Sequence, residues 1–249
     1  RESPSGLNSF LRLRLNIWTE SHTAWMPMDR WDACNGPVDF AALQGRECFA
    51  GLDLSTTLDI SALVLLFPPT EDDLLYTVLP FFFIPSENIA DRVKRDRVPY
   101  DVWKRNDLLT LTDGNVIDYD AIRAKVQELG EQFNIREIAF DRWNATQVTT
   151  QLAGDGYTMV PFGQGFQSMS SPTKRLLELA ISGRIAHGGN PVLRWMAGNA
   201  VVKTDPAGNI KLDKSKSTEK IDGAVALAMA LSRAEAHAPE TNNAGIFLA

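Results

Sequence analysis

Hydrophobic and polar positions follow two different periods along this chain, and the points where the period switches outline its elements. Two apolar runs, Cys48–Leu54 and Ile60–Phe67, flank the polar stretch Ser55-Thr56-Thr57, and a third covers Leu74–Ile84. Short apolar runs bounded by turn residues read as strands. The connections Ser55–Asp59 and Pro68–Asp73 are too short for a crossover, so the three strands are antiparallel neighbours. The spacing then becomes helical. Over Ser86–Arg97, Ile89 and Val93 fall inside, while Asp91, Arg92, Lys94, Arg95 and Arg97 fall outside. Leu108–Thr112 is a short strand-like piece, and Asp113-Gly114-Asn115 is a turn. Asp118–Phe133 is an amphipathic helix with Ile122, Val126 and Leu129 on one face, and it feeds the buried strand Ile135–Phe140. A helix leading into a buried strand is the αβ half of a parallel crossover.

A second such unit comes next: a helix to about Leu152, the turn Gly154-Asp155-Gly156, and a strand over Tyr157–Phe162. Gly163-Gln164-Gly165 is glycine-rich but lacks the Gly-Lys-Ser/Thr of a phosphate loop, so it reads as a mobile loop. Ser171-Pro172-Thr173 opens a helix to Ser182. His187 lies in the turn His187–Pro191 without a second His or Cys at ligand spacing, and reads as a loop histidine rather than a zinc ligand. Ala200–Thr204 and Asn209–Asp213, joined by Asp205-Pro206-Ala207-Gly208, form a hairpin. The last helix runs from about Lys220 to Ala234. At the amino end, Asn8 or Ser9 caps a helix to about Trp18, and Trp25 and Trp31 pack this lead-in onto the main domain, a docking surface for a neighbouring domain being the alternative. The division expected is a lead-in at 1–47, a main domain at 48–236 and a tail at 237–249.

Composition narrows the class. A chain of 249 residues, 44% hydrophobic, is long enough to bury a full core. Two cysteines, Cys34 and Cys48, make no disulfide framework and suit a reducing compartment. No apolar run approaches the roughly 20 residues of a membrane span. The net charge of −6 does not advertise a nucleic-acid partner, although acidic clusters can offset a local basic surface. The opening Arg-Glu-Ser-Pro-Ser-Gly, without Met, reads as the start of a fragment.

Three carboxylates carry the chemistry. Asp53 interrupts an apolar strand, where its charge is costly unless a metal or the Ser/Thr donors of the turn compensate it. A turn-capping role through Ser55 or Thr56 is the structural alternative. Asp141 directly follows the strand Ile135–Phe140, at the carboxyl end where open α/β sheets bind ligands. Asp141 or Asn144 also suits the cap of the next helix. Asp222 opens the last helix beside Gly223 and Ala224, small residues that permit close approach to the sheet. The helix dipole alone would account for a carboxylate there. In a mixed sheet the first strand and Ile135–Phe140 are central neighbours, so all three acids can face one cleft. Such a cluster repels itself without a cation, and hard oxygen ligands suit Mg²⁺ or Mn²⁺. Two ions about 3.5–4 Å apart would support phosphodiester hydrolysis. Asp59, beyond the turn, is an auxiliary candidate or only a turn cap. Lys203, Lys211, Lys214, Lys216 and Lys220 lie on or after the hairpin, immediately before Asp222. They form either a grip for a phosphate backbone or a solvated edge.

Asp53 in GLDLSTTLDISAL, Asp141 in IAFDRWNA, Asp222 in EKIDGAVALAMAL and the lead-in SGLNSFLRLRLNIWTES together resemble the nuclease domain of tailed-bacteriophage large terminase subunits. The resemblance covers nearly the whole chain. It implies a ribonuclease H-like α/β fold: a mixed sheet of three antiparallel strands followed by parallel αβ units, with flanking helices and a β-hairpin insertion. It also implies a Mg²⁺- or Mn²⁺-dependent endodeoxyribonuclease with Asp53, Asp141 and Asp222 as catalytic metal ligands. The implied setting is the cytoplasm of an infected bacterium, with double-stranded viral DNA, the small terminase subunit and the portal as partners. The family's packaging ATPase has no counterpart in these residues. A transposase-like or junction-cutting nuclease would share fold and metals. An actin- or sugar-kinase-like phosphotransferase would need a duplicated domain and a second glycine-rich motif.

Overall fold

The computed structural model describes residues 25–55, 59–87, 89–142, 146–217 and 219–238. The helix expected up to Trp18, the Thr56-Thr57 part of the first turn and the Asn144 cap lie outside those residues. A short helix α1 (Met28–Ala33) precedes three strands, β1 (Glu47–Asp53), β2 (Ser61–Phe67) and β3 (Tyr76–Pro85). Two small helices come after them, α2 (Ile89–Asp96) and α3 (Tyr100–Arg105), then β4 (Thr110–Thr112). Next come α4 (Tyr119–Gln132), β5 (Asn134–Asp141), α5 (Thr146–Gly154), β6 (Met159–Phe162) and α6 (Phe166–Ile181). The chain continues through β7 (Ile185–Ala186), α7 (Pro191–Asn199), the hairpin β8 (Val202–Thr204) and β9 (Ile210–Leu212), and α8 (Asp222–Ala236).

The main sheet runs β4-β3-β2-β1-β5-β6, with β7 also paired to β3. β1, β2 and β3 are antiparallel in sequence, whereas β5 joins β1 in parallel and β6 joins β5 in parallel. This is the ribonuclease H-like order expected, and β1 and β5 are the central neighbours.

Strand parity builds the layers. Phe49, Ala62, Val64, Leu66, Val78 and Phe82 enter a core shared with α6, α7 and α8. Their alternates, among them Leu52, Leu63, Leu65 and Phe83, enter a second core with α4 and α5. Hydrophobic residues on both faces explain why these strands read as continuous apolar runs rather than alternating ones. α8 is buried around almost its whole circumference, from Asp222 through Leu231. Its approach to β1 depends on Gly51, where an added Cβ would overlap the carbonyl oxygen of Ala226. Gly223 plays the expected small-residue part, since a Cβ there would lie 2.8 Å from Phe82.

Several boundaries differ from the sequence reading, each for a physical reason. β3 begins at Tyr76, leaving Leu74 73% exposed, because Asp73 Oδ1 accepts the N–H of Leu75 and keeps this stretch in a turn. α6 begins at Phe166, not Ser171, and carries Pro172 inside. Met169 and Pro172 both bury against the core, and that packing offsets the lost backbone donor. Arg92, expected on the solvent side of its helix, is buried within the field of Asp96 and Asp59. α3, β7 and α7 have no counterpart in the sequence reading. α7 starts inside the stretch expected to be a turn, where Asn190 Oδ1 accepts the N–H groups of Val192 and Leu193, both at 3.0 Å. His187 is buried: its Nε2 meets the Trp31 carbonyl at 2.7 Å and its ring stacks on Trp31. Trp25 and Trp31 pack against the core as expected.

Candidate active site

The parallel β1–β5 pair brings the first two acids to the same end of the sheet. Leu52 is in register with Phe140, and each strand ends one residue later, at Asp53 and Asp141. Phe49 and Ala139 belong to the core beneath α8, so the period of two turns Asp53 and Asp141 toward that same face. α8 starts at this end with Asp222, and it packs along β1, β2 and β5. β6 also ends here, so the loop Gly163-Gln164-Gly165 borders the same cleft.

Asp53 is 1% exposed and Asp222 is nearly as buried. Between them lies the ammonium of Lys214, 2.6 Å from Asp53 Oδ2 and 2.9 Å from Asp222 Oδ1. The side chain of Lys214 is 40% exposed, so the charge reaches inward from the rim. Its aim is set by a local turn. The Asp213 carboxylate accepts from the backbone N–H and the hydroxyl of Ser215, and the Ser217 hydroxyl donates to the Asp213 carbonyl. The other oxygen of Asp53, Oδ1, accepts from the side-chain amide of Gln164 at 3.2 Å.

The electrostatics derive from burial. Desolvation pushes the Asp53 carboxyl up to about 7, Lys214 partly offsets this, and the neighbouring Asp222 adds to it. For Lys214, burial opposes the charged form, but Asp53 and Asp222 outweigh it and hold the ammonium above the usual lysine range. The site is thus built around a positive charge. The buried Asp53 Oδ2 is engaged by the Lys214 ammonium 2.6 Å away.

The remaining candidates are distributed around this centre. Asp141 is half-buried at the end of β5; among the described residues no three His, Cys, Asp or Glu side chains stand together at metal-holding spacing. Asp59 is exposed and pairs with Lys220 at 2.8 Å, outside the Asp53–Asp222 pair. Lys211 donates to the Gln164 carbonyl at 3.2 Å and lies over the Phe166 ring. Lys203 and Lys216 point to solvent. Sequence reasoning misses Gln164, which reads as part of a mobile loop, and finds in Lys214 only a phosphate contact or a solvated-edge lysine. The signal available for Lys214 is its position between Asp213 and Ser215, a pattern that favours a side-chain-capped turn.

The family "Terminase large subunit, endonuclease domain" matches residues 2–238. The chain belongs to this family. It is 39% identical over 240 residues to the terminase large subunit of Enterobacteria phage HK97, covering 95% of this chain and 46% of that protein. It is 31% identical to protein YmfN of Escherichia coli strain K12, covering 91% of this chain and 52% of that one. The crystal structure of the HK97 large terminase superposes with a TM-score of 0.76 at 38% identity, over 92% of this chain and 47% of that one. The chain therefore spans about half the length of the curated relatives it matches. Membership confirms the resemblance and the ribonuclease H-like fold, and it sets aside the phosphotransferase reading.

Proposed function

We propose that this chain is a metal-dependent DNA endonuclease, the part of a large terminase that cuts concatemeric viral DNA during genome packaging. The observation that carries this reading is the buried Asp53–Asp222 pair closed around a single positive charge at the carboxyl end of the central strands. Family membership supports the same reaction class.

The donor set suits Mg²⁺ or Mn²⁺: Asp53 and Asp222 offer hard oxygens in a desolvated site, and Asp141 ends the adjoining strand on the same face. These three would hold the ion or ion pair, with Lys214 moving aside. When bound, such ions supply the charge that makes water nucleophilic near neutral pH and stabilises the leaving oxygen. The protein's own groups do the rest. The carboxylates lie at the end of a rigid sheet, so their positions are fixed before substrate arrives. The wall formed by α8 restricts water on one side of Asp53 and Asp222. Lys203 and Lys216 are exposed on the hairpin and the segment leading to Asp222, where they would hold the phosphate backbone without reading bases. Lys211 and Lys220, engaged with Gln164 and Asp59, would contribute only by leaving those partners. Asp59 serves here as an ion-pair partner rather than a ligand.

In the setting the family implies, the substrate is double-stranded viral DNA in the cytoplasm of an infected bacterium, with the small terminase subunit and the portal as partners. The domain limits proposed are those of the sequence: a lead-in at 1–47 reaching toward an ATPase part, the nuclease at 48–236 and a tail at 237–249. The test is nicking of supercoiled plasmid with Mg²⁺, Mn²⁺ or chelator. Cleavage is expected with either metal, and Asp53→Asn, Asp141→Asn and Asp222→Asn should each abolish it while far-ultraviolet circular dichroism stays unchanged. Wild-type cleavage that survives exhaustive metal removal would refute the proposal.

A further inference from the structure

The loop between β6 and α6 is only Gly163-Gln164-Gly165, yet it is tied to the site at two points. The Gln164 side-chain amide donates to Asp53 Oδ1 at 3.2 Å, and the Gln164 backbone carbonyl accepts from Lys211 Nζ at 3.2 Å. Lys211 sits on β9, and that hairpin is itself fastened to α6. Ile210 N–H donates to the Ser170 hydroxyl at 3.2 Å, and Lys174 Nζ donates to the Gly208 carbonyl at 2.9 Å. Gln164 is therefore held by its backbone from one side and by its side chain from the other.

The chemistry of this contact is specific. A carboxylate at a strand end turns about its last torsion unless a donor fixes one oxygen, because that torsion is broad and roughly two-fold. Gln164 occupies Oδ1, which leaves Oδ2 directed to the position now taken by the Lys214 ammonium. A lysine or arginine in place of Gln164 would fix the oxygen equally well, but its charge would compete with a divalent cation. An amide fixes it without adding charge. Groups that orient metal-binding carboxylates in this way typically change metal affinity or activity by about 10–100-fold when removed.

We propose that Gln164 is a positioning residue for the cation site: it locks Asp53 with Oδ2 facing the cation, and Lys211 holds Gln164 in place. This inference rests on the metal-dependent reading above. The test compares wild type with Gln164→Met, Gln164→Asn and Lys211→Met. The amide is lost in the first, is one carbon too short in the second, and loses its tether in the third. Mn²⁺ affinity of the DNA-free protein is read by electron paramagnetic resonance of free Mn²⁺, beside thermal unfolding and steady-state cleavage. Gln164→Met and Gln164→Asn are expected to lose about 10-fold in Mn²⁺ affinity and in kcat with KM for DNA unchanged, while the metal-free melting temperature falls only by the loss of the bond to the buried Asp53. Lys211→Met should shift Mn²⁺ affinity in the same direction by less. Wild-type Mn²⁺ affinity in both Gln164 variants would overturn the positioning role while leaving the nuclease reading intact. A wild-type protein that neither binds Mn²⁺ nor cleaves DNA would overturn both.

Discussion

Replacing Lys214 by Met removes the ammonium that lies between Asp53 and Asp222 while nearly preserving side-chain volume. Its effect on metal-free stability can be bounded from the structure. With Lys214 present, burial already holds the Asp53 carboxyl at about 7, against 3.8 when unperturbed. A carboxyl whose folded pKa is raised takes up a proton on folding between those values, so its contribution to stability falls as pH rises from about 4 to about 7. Above 7 the wild-type site carries the charge and Lys214 compensates it. Without Lys214 the folded pKa rises further, and the variant keeps its proton where the wild type has lost it. One proton is worth about 1.36 kcal/mol per pH unit, which caps the added cost. Relative to its offset at pH 6, the variant should lose at most about 1.4 kcal/mol by pH 8 and about 2.7 kcal/mol by pH 9. Urea denaturation at pH 6, 7, 8 and 9 in chelator reads this directly. The same variant should gain more stability from Mn²⁺ than wild type does, because the ion no longer displaces an ammonium. Parallel pH curves for the two proteins, with equal stabilisation by Mn²⁺, would refute the view that Lys214 neutralises this pair.

The sheet is legible because its strands are buried on both faces and its short connections leave few topologies. The register that sets Asp53 beside Asp141 comes from a helix and a parallel strand, both visible as changes of period. Less legible are elements whose stability is tertiary. α3 and β7 are short pieces whose buried members, such as Tyr100, Trp103 and Ile185, pack into the common core rather than mark a local period. Helical periodicity sets Arg92 outside because it assumes that charge faces water, whereas this guanidinium is buried and the nearby Asp96 and Asp59 favour its charged form. The acids themselves are readable, since a carboxylate in an apolar strand demands an explanation. The group that fills the space between them is not. Lys214 is one of several lysines in its segment, and only the Asp213 turn, closing through Ser215 and Ser217, aims it at the acids. Gln164 is hidden for a similar reason. Two flanking glycines suggest freedom, and the bond to Asp53 crosses 111 residues of sequence.

Gly51→Ala should destabilise the protein by roughly 3 kcal/mol or more, since the new methyl would overlap the Ala226 carbonyl and force α8 from β1; urea unfolding checks it, and a loss below about 1 kcal/mol would contradict the close contact. Lys203→Ala with Lys216→Ala should weaken binding to all DNA sequences alike, and the slope of log affinity against log salt should shrink by about one unit for each phosphate no longer held. An unchanged slope would return both to the solvated edge. His187 provides an acid-side test. Burial lowers its pKa below 6.5, with its Nε2 set against the Trp31 carbonyl and Asp32 the nearby carboxylate that partly opposes the shift. The unfolded chain therefore takes up a proton at His187 before the folded protein does, and stability is lost as pH falls below 6.5. His187→Gln keeps an amide donor for that carbonyl and cannot titrate, so wild type should lose its advantage over this variant as pH drops from about 7 to about 5. A stability difference between the two that stays constant across that range would show that His187 acts by packing and hydrogen bonding rather than by titration.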